Sequence, residues 1–270
     1  MEMPYNKKVM KGCGLSRIPS RRTFDRRLVT ISNDIKNRIT AMGELFIRDK
    51  IMDPSVLSTD STLVKAKGYV WHKSSIKKKV VPRSGIDTDA RWGFSHTKGW
   101  IFGYKLHLVA STGPIIVPLA ADFTTANIPD NQMYSVLTAS LPLTIIKRTL
   151  FMSADPGYDD HELYDLSTDM GFRLVCPVQR YKNSPADRIK LIKFYESNIG
   201  QAIYSLRSTS IEPLIGHIKS AFRIDPLHVR GYDRACAIVL LSVLVYQILV
   251  YYNCKTDRNN PMAIIYLIGT

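Results

Sequence analysis

Leu150-Phe151-Met152-Ser153-Ala154-Asp155-Pro156-Gly157 is an apolar run that ends on an acid and is then turned by Pro-Gly. Its first six residues read as a buried strand, and the Pro-Gly pair ends it. Residues 161–170 then follow a helical pattern, Gly171 stops it, and residues 172–178 read as a second strand. Strand, turn, helix, strand is the unit of an α/β sheet, so this stretch decides the class.

Upstream, Ser55-Val56-Leu57-Ser58-Thr59-Asp60 reads as another short strand ending in an acid. A Lys-rich loop follows from Lys65 to about Gly99. Residues 101–110 and 114–121 read as strands joined by Ser111-Thr112-Gly113, a hairpin signal. Residues 130–141 are helical in pattern, and two more helices are expected after Pro213 and from Asp233. The predicted fold is a mixed sheet flanked by helices.

The chain has 270 residues, 45% of them hydrophobic, enough to bury a core and to exclude wholesale disorder. Its net charge of +14 is unevenly placed. Residues 1–50 carry +7 and residues 65–105 carry +8, while residues 106–270 are close to neutral. Such segregation points to a surface for a polyanion. Phe24, Leu28, Ile31, Ile35, Ile39, Met42 and Phe46 mark one face of a single helix in the first basic block, with Ser20 as its cap. Arg17, Arg21, Arg22, Arg26 and Arg27 crowd its start and read as a phosphate-contacting arm. Lys77, Lys78, Lys79 and Arg83 read as non-specific phosphate contacts in the long loop.

Cys13, Cys176, Cys236 and Cys254 are far apart, with no CxxC pair, which argues against a disulfide framework and a structural zinc. A reduced, cytoplasmic setting is expected, and Met1-Glu2-Met3-Pro4 begins no apolar signal segment. Residues 235–254 hold no charge and are long enough to span a membrane. Ser242, Gln247 and Asn253 within the run favour a core helix covering the sheet, and no membrane partner is expected.

Asp60 and Asp155 both end predicted strands, where open α/β sheets place their sites. Two carboxylates there suit hard divalent cations, and a pair of ions about 4 Å apart serves phosphoryl transfer. Glu212 is the third candidate: Pro213 fits the first turn of a helix, so Glu212 stands at a helix start.

These residues resemble the DDE transposases of bacterial insertion sequences, which have a ribonuclease H-like catalytic core. Asp60-Ser61-Thr62 resembles the segment of the first catalytic Asp. Asp87-Thr88-Asp89-Ala90-Arg91-Trp92-Gly93 and Gly103-Tyr104-Lys105-Leu106-His107 resemble the family's loop and second strand. Thr124 to Asp130 resembles its T-x-x-N-x-x-D stretch, and Asp155-Pro156-Gly157-Tyr158 its D-x-G-Y signature. Tyr204, Arg207, Glu212 and Lys219 resemble the Y-R-E-K signature, with four residues rather than the usual three between Arg207 and Glu212.

The resemblance implies a ribonuclease H-like domain over residues 51–254, preceded by a basic helical region, 1–50, read as a truncated DNA-binding part, and followed by a tail, 255–270. It implies a DNA transposase that cleaves insertion-sequence ends and joins them to target DNA. Asp60, Asp155 and Glu212 would be catalytic and would ligate two Mg²⁺, with Mn²⁺ as a substitute. Tyr204, Arg207 and Lys219 would contact DNA, as would Lys77, Lys78, Lys79, Arg21, Arg22, Arg26 and Arg27. The expected partner is double-stranded DNA, bound by a homodimer. The alternatives are a hydrolysis-only nuclease with the same core, a catalytically inactive DNA-binding remnant, and a single-span membrane protein.

Overall fold

The computed structural model of the chain describes residues 4–95 and 97–268, so Met1 to Met3 lie outside the described residues. The chain opens with α1 (Pro4–Gly12), α2 (Arg21–Leu28) and α3 (Ser32–Arg48). Ser20 caps α2 as expected, its hydroxyl accepting the Thr23 N–H at 3.2 Å. The single helix expected here is two. Val29, Thr30 and Ile31 are three β-branched residues in succession, which helices disfavour, and the chain breaks there.

The sheet follows: β1 (Val56–Lys65), the short helix α4 (Lys73–Lys77), β2 (Arg91–Ser95), β3 (Gly99–Ser111) and β4 (Pro118–Thr125). Next come α5 (Asp130–Ser140), α6 (Leu143–Ile146), β5 (Phe151–Ser153), α7 (His161–Asp169) and β6 (Arg173–Val175). The chain closes with α8 (Ala186–Glu196), α9 (Asn198–Thr209), α10 (Ile211–Ala221), α11 (Tyr232–Lys255) and α12 (Ile265–Ile268). Long β3 pairs with β1 along one edge, and with β2 and then β4 along the other, all antiparallel. Beyond β1 lie β5 and β6, both parallel to their neighbours. The order β4-β3-β1-β5-β6, antiparallel then parallel, is that of a ribonuclease H-like core.

Several boundaries differ from the sequence reading. Asp60 is in the middle of β1, opposite Leu108, and does not end the strand. The strand expected over 114–121 begins only at Pro118, a residue tolerated at a strand start because it lacks an N–H. Arg91–Ser95 is an edge strand inside the expected loop, and α8 and α9 were not anticipated. Gly103 is dictated by packing: a Cβ there would stand 2.0 Å from the Val64 carbonyl oxygen.

Helices α3 and α11 pack on β4 and on each other, and α10 lies on β1 and β3. Although α11 is long and apolar enough to cross a membrane, its Ala235, Val239, Leu240, Val243 and Val250 are buried in the core. Gln247 on it is fully buried and donates to the carbonyls of Ile39 and Pro118 at 2.9 and 2.7 Å. Its N-terminus is held by the 87–89 loop. Asp87 accepts from the Gly231 N–H and the Tyr104 hydroxyl, both at 3.0 Å, and Asp89 accepts from the Tyr232 N–H at 3.0 Å. Carboxylates at this end also complement the helix dipole.

Candidate active site

β1 and β5 run parallel, and Ser58 sits beside Ser153, their hydroxyls 2.6 Å apart in the core. Two residues further along each chain stand Asp60 and Asp155. The pairing therefore brings both acids to the same end of the two strands, where the Asp155 charge acts on Asp60.

Asp60 is 16% exposed. One oxygen accepts the Ser61 N–H at 2.7 Å and the other accepts from Arg207 Nη2 at 2.9 Å. Burial pushes its carboxyl up to about 6, against the pull of Arg207, and the nearby Asp155 charge adds to the rise. Asp155 follows β5 and caps a 3₁₀ turn at Pro156–Tyr158, accepting the Gly157 N–H at 3.0 Å. A Cβ on Gly157 would lie 3.1 Å from that carboxylate, which explains the glycine two residues after the acid. Burial raises the Asp155 pKa as well, with Arg207 opposing.

Glu212 lies in the first turn of α10, as Pro213 predicts, and is 52% exposed. Its Oε1 is 3.9 Å from the same Arg207 nitrogen that meets Asp60. The two carboxylate oxygens thus stand no farther apart than those two legs allow. Arg207, in the last turn of α9, is 8% exposed. Burial works against its charge, but Asp60, Tyr204, Asp155 and Glu212 outweigh that and hold its pKa above the ordinary value. Its Nη1 is 3.5 Å from the Tyr204 hydroxyl, and its buried Nε–H has no partner.

The extra residue between Arg207 and Glu212 has a structural place. α9 runs to Thr209, and Ser210 is the break before α10. Arg207 and Glu212 therefore sit on different helices that meet over Asp60. Sequence spacing across such a break cannot show which side chain faces which.

Lys219 is on α10 near β1, but its ammonium is engaged. It contacts Asp225 at 2.6 Å, the Leu63 carbonyl at 2.7 Å and the Thr62 hydroxyl at 3.2 Å. Burial lowers its pKa, and Asp225 opposes. In this arrangement it staples α10 and the Asp225 turn to β1. Tyr204 stacks edge-on against Tyr195, with ring centroids 5.4 Å apart. Lys77, Lys78, Lys79, Arg21, Arg22, Arg26 and Arg27 are all exposed, and none has an ion-pair partner among the described residues.

On the other side of β1 stands a group drawn from two of the quoted motifs, Lys105 and His107 of the second-strand motif and Asp130 of the T-x-x-N-x-x-D stretch. Asp130, at the start of α5, accepts from the Ser61 hydroxyl at 2.7 Å and from Lys105 Nζ at 2.9 Å. His107, fully buried, points Nδ1 at it from 3.7 Å and meets the Thr124 hydroxyl at 2.8 Å through Nε2. The signal was present in the Gly103 to His107 motif and in Asp130. Of the tryptophans, Trp71 and Trp92 are half-buried and donate to the Val80 and Trp71 carbonyls, while Trp100 is exposed under Lys73.

A family model described as "Transposase DDE domain" matches residues 51–248. The chain belongs to the DDE transposase family. Among solved structures, this chain is similar to a chain of the simian T-cell lymphotropic virus intasome in complex with PP2A regulatory subunit B56 gamma. That match has 13% identity and a TM-score of 0.35 and covers 71% of this chain and 48% of the other. A Mos1 strand transfer complex matches with 11% identity and a TM-score of 0.26, over 88% of this chain and 62% of that one. The chain thus spans about half the length of the first of these chains and under two thirds of the second. No curated protein matches the chain.

DDE transposases generally use divalent metal ions. Oxygen-only donors of the kind Asp60, Asp155 and Glu212 supply are the right chemistry for Mg²⁺ or Mn²⁺. Three carboxylates against one guanidinium also leave negative charge for a cation to balance. Among the described residues, however, no three His, Cys, Asp or Glu side chains are gathered closely enough to hold an ion. The Arg207 guanidinium lies 2.9 Å from Asp60 and 3.9 Å from Glu212, and the Asp155 charge acts on it.

Proposed function

We propose that the protein is a DNA transposase that cleaves DNA at the ends of an insertion sequence and joins those ends to target DNA. The observation that carries this reading is that Arg207 reaches both Asp60, at 2.9 Å, and Glu212, at 3.9 Å, while the Asp155 charge also acts on its guanidinium. The reaction class is two successive displacements at phosphorus. Water first releases a 3′-hydroxyl at the element end, and that hydroxyl then attacks a target phosphodiester and expels a new 3′-hydroxyl. Two Mg²⁺ or Mn²⁺ ions held by the three carboxylates would activate the attacking oxygen and stabilise the leaving one.

The chain's own groups do the rest. Asp60, fixed within β1, and Asp155, held by the turn after β5, set the geometry on the sheet, and Glu212 closes it from α10. Tyr204 and Arg207 orient the flanking phosphate. Lys219 positions α10 over β1. The exposed cations of α2 and of residues 77–79 contact the DNA backbone without reading sequence. Residues 1–50 form the basic DNA-binding region, 51–254 the catalytic domain and 255–270 a tail, with two copies acting on paired ends in the cytoplasm.

Labelled duplexes carrying the element ends, incubated with Mg²⁺ and a plasmid target, test the reading. Wild type is expected to nick the ends and yield joined products, and Asp155→Asn neither. Nicked ends without joined products would leave the hydrolysis-only nuclease, and no nicking the inactive remnant.

A further inference from the structure

In this structure a protein cation stands where the proposed chemistry needs metal. Arg207 Nη2 donates to Asp60 at 2.9 Å and lies 3.9 Å from Glu212, and the Asp155 charge also bears on the guanidinium. An ion ligated by Asp60 and Arg207 compete for the same carboxylate oxygen. The pairing is also incomplete. Of five guanidinium donors, one makes a short bond to a carboxylate, one makes a long contact to Tyr204, and the buried Nε–H has no partner. A buried N–H without an acceptor is costly, so Arg207 gains whenever a group with several acceptor oxygens comes within reach. A phosphodiester is such a group and matches the guanidinium fork.

We propose that Arg207 is an internal counter-ion that keeps Asp60, Asp155 and Glu212 from binding metal until a DNA phosphate draws its guanidinium away, so that DNA and metal bind cooperatively. This rests on the reading of the site given under Proposed function. Arg207 is then a positioning residue acting on the carboxylates. It neutralises part of their mutual repulsion in the free protein and releases them when DNA arrives. The break at Ser210 suits the task, because it places Arg207 and Glu212 on separate helices, so that one can move without carrying the other. Coupling of this kind is reciprocal: if DNA tightens metal binding, metal tightens DNA binding by the same factor.

The test is calorimetric titration of the full chain with Ca²⁺, with and without a short DNA duplex, subtracting Ca²⁺ binding to the duplex alone. Heat of binding is the readout, so turnover is not involved. Wild type is expected to bind Ca²⁺ about tenfold more tightly with duplex than without. Arg207→Gln should bind Ca²⁺ about tenfold more tightly than wild type in the absence of DNA and gain nothing further from the duplex. Arg207→Lys, which keeps the charge but not the fork, should restore weak binding in the absence of DNA. An Arg207→Gln affinity equal to or weaker than wild type overturns the proposal. Should Arg207→Gln fail to fold, as judged by circular dichroism and thermal melting, the wild-type titrations decide alone, and equal affinities with and without duplex overturn it. The two readings fail differently. If Asp60→Asn and Asp155→Asn weaken Ca²⁺ binding but Arg207→Gln does not strengthen it, only the counter-ion role falls. If wild type binds no Ca²⁺ under either condition, the metal site and the counter-ion role fall together.

Discussion

Asp60 lies in the middle of β1 and Asp225 is bonded to its end, and each is paired with one cation. Their exposures are nearly equal, 16% and 14%. Their acidities move in opposite directions. Burial raises both, but at Asp225 the Lys219 ammonium at 2.6 Å and the Lys65 N–H at 3.0 Å outweigh it, and the pKa falls. At Asp60 burial dominates, Arg207 is shared with Asp155 and Glu212, and the pKa climbs to about 6. A structural acid has its cation to itself. The candidate catalytic acids divide one cation among three, and that shortage is what a divalent ion would fill.

The sharpest way to break this comparison is to neutralise one acid on each side. Asp60→Asn is expected to lower strand cleavage by on the order of 10³-fold, read by end-labelled DNA, while leaving the protein as stable as wild type or more so. Lost activity together with a large loss of stability would make Asp60 structural too.

Lys219→Met should behave in the opposite way. It leaves Asp225 buried without its cation and should cost about 3 kcal/mol in urea denaturation. Lys219→Met with Asp225→Asn should recover most of that. A Lys219→Met protein of undiminished stability that no longer binds DNA would return Lys219 to a phosphate contact.

Acidity gives the third test, run in chelator. The folded pKa of Asp60 lies above its unfolded value of 3.8, so the folded state holds the extra proton. Its contribution is present below the unfolded value and is lost as pH rises through about 6, by on the order of 1–3 kcal/mol. Asp225 runs the other way: its folded pKa is lowered, so its contribution is present above 3.8 and is lost as pH falls through the folded value. Asp60→Asn should flatten the first slope and Asp225→Asn the second in pH-dependent denaturation.

The smallest structural effect is expected at the surface. Replacing Lys77, Lys78 and Lys79 by Gln should leave melting unchanged. The slope of log affinity for DNA against log salt should fall by about two to three. An unchanged slope would remove these lysines from the DNA-binding surface.

β3 and β5 were readable because they lie in apolar runs bounded by turn residues, whereas β1, more polar than apolar, was readable only as far as Asp60. β2 was hidden: Arg91-Trp92-Gly93-Phe94-Ser95 is short, lies at a sheet edge and has a glycine where alternation would show. α9 was hidden for a reason tied to function. Its inward side chains include Arg207, facing carboxylates, so the helix carries no full apolar stripe to mark it. Asp155 and Glu212 were legible because Pro-Gly and Pro213 fix their local turns. The guanidinium among the acids was not, because it depends on two helices meeting across Ser210.

The Asp87 and Asp89 contacts to the start of α11 have a consequence for the basic loop. With β1 at one end and the Asp87 to Asp89 clamp at the other, residues 66–86 are a tether fixed at both ends. Lysines on such a tether sample a small volume beside the sheet, so a phosphate bound nearby meets them at a high effective concentration. Each further contact then costs little additional ordering, and weak individual contacts can sum to firm retention of DNA.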